Sequence, residues 1–153
     1  MTLKTIHTLP ALQTIGFGFL AFILKTTFTT GNFHFIAREW LSLLVALVGL
    51  ALLAGSGILF KRYSTTINPF EPDKASTLVV SGWYRWTRNP MYLGFLGILI
   101  AWILYLANVF ALFVTPLFIM SINHFNIIPE EKALHHQFGH TYVRYKQRVR
   151  RWI

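Results

Sequence analysis

Between Asn89 and Pro129 the chain carries no Asp, Glu, Lys or Arg. A helix crosses the ~30 Å hydrocarbon core of a bilayer with about 20 mostly apolar residues, so this run is about two crossings long. It predicts a helical hairpin, because lipid offers no partner to unpaired backbone groups. Ala107-Asn108 is the expected turn, between helices at about 91–106 and 109–128. Pro116 deprives the second of these of an amide and predicts a kink, tolerable where neighbours or a cavity satisfy the freed carbonyl.

Two further segments fit a crossing. Residues 9–24 are apolar and slightly short, with Lys25 placed to snorkel. Residues 40–60 carry no charge and close on Lys61-Arg62. The sequence therefore predicts an all-α fold, a polytopic membrane protein with four transmembrane helices. They form a single domain over residues 1–153, with a loop at 61–90 and an amphipathic cytosolic helix in the tail at 129–153. Composition agrees: 54% of the 153 residues are hydrophobic and 12% charged, against about 25% charged in an ordinary soluble domain. Such apolarity excludes disorder, the low glycine excludes collagen, and the lack of cysteine excludes disulfide scaffolds, thiol nucleophiles and thiolate metal sites. Lys4 would serve as the n-region of a signal peptide, but no A-x-A-like site follows Leu24, so the first span is expected to be retained.

The net charge of +9 sets the orientation. Lys25 and Arg38 lie in the first loop, and the third loop has no basic residue. Every other Lys and Arg falls at the N-terminus, in residues 61–90 or in the tail, so the positive-inside rule puts both termini in the cytoplasm. The two large polar segments then share the cytosolic face. Within the spans, Ala51, Gly55 and Gly57 on one helix and Gly94 and Gly97 on another allow close packing. Gly16-Phe17-Gly18 with Ala21 matches a dinucleotide fingerprint only in letters, since it sits inside a span with no strand before it.

The loop is too long and too rich in Pro, Trp and Tyr for a connector. Pro69 and Pro72 impose an extended path, Leu78-Val79-Val80 offers an apolar edge, and Ser81-Gly82 a turn. Trp83, Tyr84 and Trp86 suit an interfacial aromatic belt. Pro90 suits a first helical turn and Asn89 a cap. The same helix N-terminus with Arg88 beside it also fits a carboxylate site, and both readings stand. In the tail, Glu130-Glu131 fits either a charge favourable to a helix N-terminus or a partner for a cation. Leu134, Phe138, Tyr142, Tyr145, Val149 and Trp152 recur at helical spacing as an apolar stripe, interrupted near Gly139, with basic residues on the opposite faces. That helix would lie on anionic lipid or close over a pocket made by the loop. His135, His136 and His140 match no metal-binding arrangement, so no metal is expected. Membrane lipids, not nucleic acid, are the expected partners of the basic residues.

Leu78-Val79, Gly82, Tyr84, Arg88-Asn89-Pro90, Tyr92 and Gly94 are followed by Glu130-Glu131, Leu134, Phe138-Gly139, Tyr142 and Tyr145. This ordered pair of motifs resembles the integral membrane methyltransferases that include isoprenylcysteine carboxyl methyltransferases and phospholipid N-methyltransferases. The likeness covers about residues 65–152, while the first two helices match only in kind. It implies methyl transfer from S-adenosylmethionine, held without a Rossmann domain, to a lipophilic small molecule or lipid. It also implies a cofactor site lined by Ser76, Thr77, Leu78, Val79, Tyr84, Asn89, Pro90, Met91 and Tyr92, with Glu130 taking the cofactor's ammonium. The needs of such a cofactor agree: a carboxylate for its ammonium, helix-terminal N–H groups and Arg88 for its carboxylate, and apolar or aromatic walls for its adenine. Asn126 stands where the isoprenylcysteine enzymes have an arginine facing the substrate carboxylate. It is thus the expected substrate-binding residue and argues against a prenylcysteine carboxylate. Asn89 replaces the histidine of the same enzymes' R-H-P motif. No catalytic residue stands out; a proton-bearing acceptor would require a base, for which His124 is the candidate. From another class, a non-catalytic membrane scaffold whose basic tail engages lipid or a partner also fits the composition.

Overall fold

The computed structural model describes residues 9–63 and 77–153. They form α1 (Pro10–Thr27), α2 (Arg38–Arg62), α3 (Pro90–Leu106), α4 (Val109–Leu112), α5 (Val114–Ile122) and α6 (Ile128–Arg148). Short 3-10 turns occupy Thr29–Gly31 and Gly82–Arg85, and a π-helical turn, Asn123–Ile127, joins α5 to α6. No strand occurs among the described residues beyond an isolated bridge between Asn32 and Asn108. Among the described residues, two helices are long and apolar enough to cross a membrane, α2 and the nearly continuous run Val109–Arg148; α3 is apolar but shorter. The first helix extends past the expected residue 24 to Thr27.

The hairpin turns where the sequence placed it. Ala107 adopts left-handed backbone, with φ 48°, and ends α3. Asn108 is fully buried and every part of its amide is used. Its Oδ1 accepts from the amides of Phe110 and Ala111 at 2.9 and 3.2 Å, capping α4. Its Nδ2 donates to the Phe28 carbonyl at 2.9 Å and to Asn32 Oδ1 at 2.8 Å, tying the hairpin tip to the α1–α2 connection. Pro116 acts as expected, for the helix breaks at Phe113, beside the Leu112 carbonyl that the proline ring would strike. Pro129 does the same at the other end. It has no N–H for the Phe125 carbonyl, and the preceding turn widens to π geometry.

α3 is the central element, packed against α2, α1 and α5. Leu96, Leu99, Ile103 and Leu106 from α3 meet Ala21 of α1 and Val114, Phe118 and Ile122 of α5 in the core. Phe17 sets its ring edge-on to Phe118, 5.6 Å between centroids. The α2–α3 contact runs along Ser42, Gly49 and Ser56, small buried residues seven apart. Both serines return their hydroxyls to carbonyls of their own helix, Arg38 and Leu52. Gly49, rather than Ala51 or Gly57, is the point of closest approach: a Cβ there would lie 2.8 Å from the Gly94 carbonyl oxygen. Gly94 and Gly97 oppose it as expected, and Gly55 faces the indole of Trp83. The outer face of α2 bears exposed Leu43, Leu44, Leu47 and Leu50, a patch that water would penalise and lipid would not.

Gly49→Ala is expected to lower the thermal midpoint, since the clash with backbone outweighs the roughly 1 kcal/mol of helix propensity gained. Gly57→Ala, where a Cβ meets nothing within 4 Å, is expected to leave it unchanged or raise it. Equal behaviour of the two in thermal melts of detergent-solubilised protein contradicts this packing.

Candidate functional site

The end of α2, the turn Gly82–Arg85, the start of α3 and the start of α6 come together at one end of the molecule. Residues 77–81 enter it without regular structure, with Val79 buried, Leu78 half-buried and Thr77 exposed. Ser76 lies outside the described residues. Gly82, at φ 58° and close to Leu59, makes the turn that swings Tyr84 inward. Tyr84 is buried edge-on against Phe60, 5.6 Å between centroids, while Trp83 and Trp86 stay exposed. The aromatic-belt reading therefore suits the tryptophans and not the tyrosine. An open groove of about 480 Å³ lies between the end of α2 and the turn, lined by Ile58, Leu59, Trp83, Arg85 and Trp86 among others.

Pro90 opens α3 as expected, but Asn89 does not cap it. The Asn89 side chain is turned away and donates instead to the Arg151 carbonyl at 2.8 Å. The amides of the first turn of α3 thus have no side-chain acceptor at the cap position.

The adjacent glutamates of α6 have opposite surroundings. Glu131 accepts from Arg151 twice, at 3.1 Å from Nε and 2.7 Å from Nη2. Arg88 Nη2 reaches it at 3.1 Å and Lys146 Nζ at 3.8 Å. Burial alone would raise its carboxyl, but the Arg151 hydrogen bonds and the charges of Arg88, Arg151 and Lys146 outweigh that and hold it below the ordinary carboxylate range. Glu130 takes a 2.8 Å hydrogen bond from the Tyr92 hydroxyl. Burial pushes Glu130 above the ordinary range, against that hydrogen bond and with the charge of Glu131. Tyr84 is close enough to feel Glu130; burial, then that charge, keep its phenol protonated far above neutrality.

Arg88 sits beside this pair. Its side chain is 10% exposed, and its Nε and Nη1 are buried with no hydrogen-bond partner among the described residues. A buried guanidinium with unused donors at a helix N-terminus is suited to a ligand anion. Asn126 is buried one turn before Glu130, and its Oδ1 accepts from Gln13 Nε2 at 2.8 Å. Ser121 in turn donates to Gln13 Oε1 at 3.3 Å. His124 is exposed on the π turn, its ring edge-on to Phe125 at 4.8 Å.

The sequence motifs thus converge: Val79, Tyr84, Arg88, Asn89, Tyr92 and Glu130 share one junction. The tail stripe faces it too, with Tyr142 and Val149 buried and the Tyr145 hydroxyl donating to the Tyr84 carbonyl at 2.7 Å. The tail helix thus packs against the turn Gly82–Arg85. Gly139, at φ 48° and ψ −125°, provides the interruption in α6. No cluster of three or more His, Cys, Asp or Glu suited to a metal occurs among the described residues. Sequence reasoning missed Gln13 and Arg151. A lone glutamine inside an apolar helix is itself a signal of a polar partner, whereas Arg151 is one of several tail cations and nothing in its spacing marks it.

The phospholipid methyltransferase family model matches residues 37–141, from the start of α2 into α6. The chain belongs to the phospholipid methyltransferase family. It is accordingly a methyltransferase of lipid-like substrates and a membrane protein, in keeping with its apolar helices. An uncharacterized protein of Haemophilus influenzae is 51% identical over 63 residues, 41% of this chain and all of that protein. No solved structure matches. The family match takes in both arms of the site, the loop with the start of α3 and the Glu130-Glu131 pair, and leaves out α1 with Gln13.

A carboxyl held below its unfolded value contributes stability that is fully present above that value and is lost as pH falls through the lowered one. Glu131→Gln strands the buried Arg88 charge and is expected to cost about 2–4 kcal/mol of stability, alike at about pH 7 and about pH 5.5. Thermal melts at both pH values check it; a cost that vanishes at the lower pH contradicts an ionised, cation-held Glu131.

Proposed function

We propose that this phospholipid methyltransferase family member uses S-adenosylmethionine to methylate a lipophilic or amphiphilic acceptor at the cytosolic membrane face. One observation carries the reading. Among the described residues, three cations gather on Glu131, while Glu130 beside it accepts a hydrogen bond from the Tyr92 hydroxyl and pairs with no cation. A carboxylate kept clear of the local cations suits an incoming ammonium, and the spare Nε and Nη1 of Arg88 suit an incoming carboxylate. An amino-acid head group, which carries both, fits that pair.

In this reading Glu130 and Tyr92 hold the ammonium, and Arg88 with the first-turn amides after Asn89 and Pro90 holds the carboxylate. Thr77, Leu78, Val79, Tyr84 and Met91 wall the adenosine. When bound, S-adenosylmethionine supplies a methyl group on a positively charged sulfur. The chain's own task is then to fix that group, exclude water and align the acceptor with it, which is catalysis by proximity. Asn126, steadied by Gln13, lines the acceptor side with a neutral amide, which suits a polar uncharged head better than a carboxylate. The groove past Ile58, Leu59, Trp83 and Trp86 gives an acyl chain a path from the bilayer. The single domain crosses the membrane four times, by α1, α2, α3 and α4–α5, with both termini cytoplasmic. Exposed Lys132, Arg144, Arg148 and Arg150 on the tail then meet anionic headgroups.

Because Glu130 titrates above the ordinary range and must be ionised to hold a cation, ligand affinity rises with pH through that raised value and falls below it. Calorimetry with S-adenosylhomocysteine is expected to show tighter binding at about pH 8 than at about pH 5, and a loss of about tenfold or more in Glu130→Gln. No binding, or binding indifferent to Glu130→Gln, overturns the reading.

A further inference from the structure

We infer that residues 149–152 are a clasp that positions the mouth of α3 against Glu130, with Arg151 as its positioning residue. The inference rests on the reading of this junction as the cofactor site, and it adds a part of the chain that touches neither cofactor nor acceptor. Residues 86–89 belong to no helix; the Trp86 and Thr87 amides reach back to the Trp83 carbonyl, but the polar groups that follow need partners from elsewhere. The clasp supplies them. The Arg88 amide donates to the Arg150 carbonyl at 2.9 Å. Thr87 Oγ1 and Asn89 Nδ2 both donate to the Arg151 carbonyl, at 3.1 and 2.8 Å. Thr87 Oγ1 in turn accepts from the Asn89 amide at 3.1 Å, so the bend into Pro90 is set by the same contact.

Two anchors hold the clasp. Trp152 packs against the hydrophobic core, and the Arg151 guanidinium grips both oxygens of Glu131. A forked, two-bond pairing fixes direction as well as distance. Glu131 is covalently next to Glu130 and also pairs with Arg88. One carboxylate therefore registers the ammonium-holding arm on α6 against the anion-holding arm before α3. The clasp bridges more than 60 residues of sequence and lies beyond residue 141, where the family match ends. It acts through Arg88 and Asn89, so its loss misplaces groups that are themselves intact.

The test compares full-length Arg151→Ala, Arg151→Lys and Thr87→Val with unmutated protein in one detergent. S-adenosylhomocysteine affinity is measured by calorimetry, methyl transfer with a lipid extract by kcat and KM, and ligand-free amide exchange over residues 86–93 by mass spectrometry. Arg151→Ala is expected to weaken binding about tenfold and raise the cofactor KM similarly, with kcat at saturation within about threefold. Arg151→Lys restores part of the loss, and Thr87→Val, which keeps shape but loses the hydroxyl, weakens binding about threefold. Exchange over residues 86–93 quickens in both Arg151→Ala and Thr87→Val, even where Arg151→Ala lowers global stability. Unchanged exchange and affinity in both variants overturns the clasp, as does an Arg151→Ala defect confined to kcat. If unmutated protein binds no S-adenosylhomocysteine yet exchange quickens in the variants, the cofactor reading fails and the clasp remains as a mechanical fact.

Discussion

A bilayer gives no hydrogen bonds to backbone, and that single condition accounts for most of this molecule. It forces helices, and it makes every interruption of a helix find local compensation. At one end of the bundle, the hairpin tip is closed by Asn108, which satisfies amides on its own helix and a carbonyl on the α1–α2 connection. At the other, the non-helical stretch before α3 is satisfied by the Trp83 carbonyl and by carbonyls of residues 150 and 151. Ser42 and Ser56 return their hydroxyls to their own helix and so can sit in a tight α2–α3 seam.

The proposed chemistry grows from the same condition. Charge can persist at the junction only where it is matched, and the two glutamates of α6 are matched differently. Glu131 is fully compensated by Arg88, Arg151 and Lys146 and belongs to the architecture. Among the described residues, Glu130 is left to a phenol, and Arg88 keeps two donors unused. Architecture and recognition thus share one small cluster, with Arg88 serving both: one nitrogen holds the fold and the other two are available to a ligand.

The fold was legible in sequence where hydrophobic length and backbone-breaking residues speak. The uncharged run to Pro129 gave the hairpin, Ala107-Asn108 its turn, Pro116 a break and Gly139 an interruption. The site was legible as a set of residues but less so as a set of roles. Asn89 has the chemistry of a cap, yet a carbonyl from residue 151 competes for its amide and wins. Gly49 was missed among many small residues because only the register of α2 on α3 selects the 42, 49, 56 row. The clasp was invisible for a related reason: its acceptors are backbone carbonyls, which every residue has. Asn126 is expected from the sequence as a substrate-binding residue; the structure shows it buried, and its partner Gln13 lies 113 residues away, a distance that spacing arguments do not bridge.

The central claim is that a cation-holding Glu130 beside an anion-holding Arg88 serves methyl transfer to a lipid. Its most direct test is incubation of the purified protein with methyl-labelled S-adenosylmethionine and a total lipid extract, followed by mass spectrometry of the lipids. The account predicts a lipid species that gains one labelled methyl with unmutated protein and does not gain it with Glu130→Gln. A lipid pool that stays unlabelled, or labelling that persists in Glu130→Gln, would contradict it.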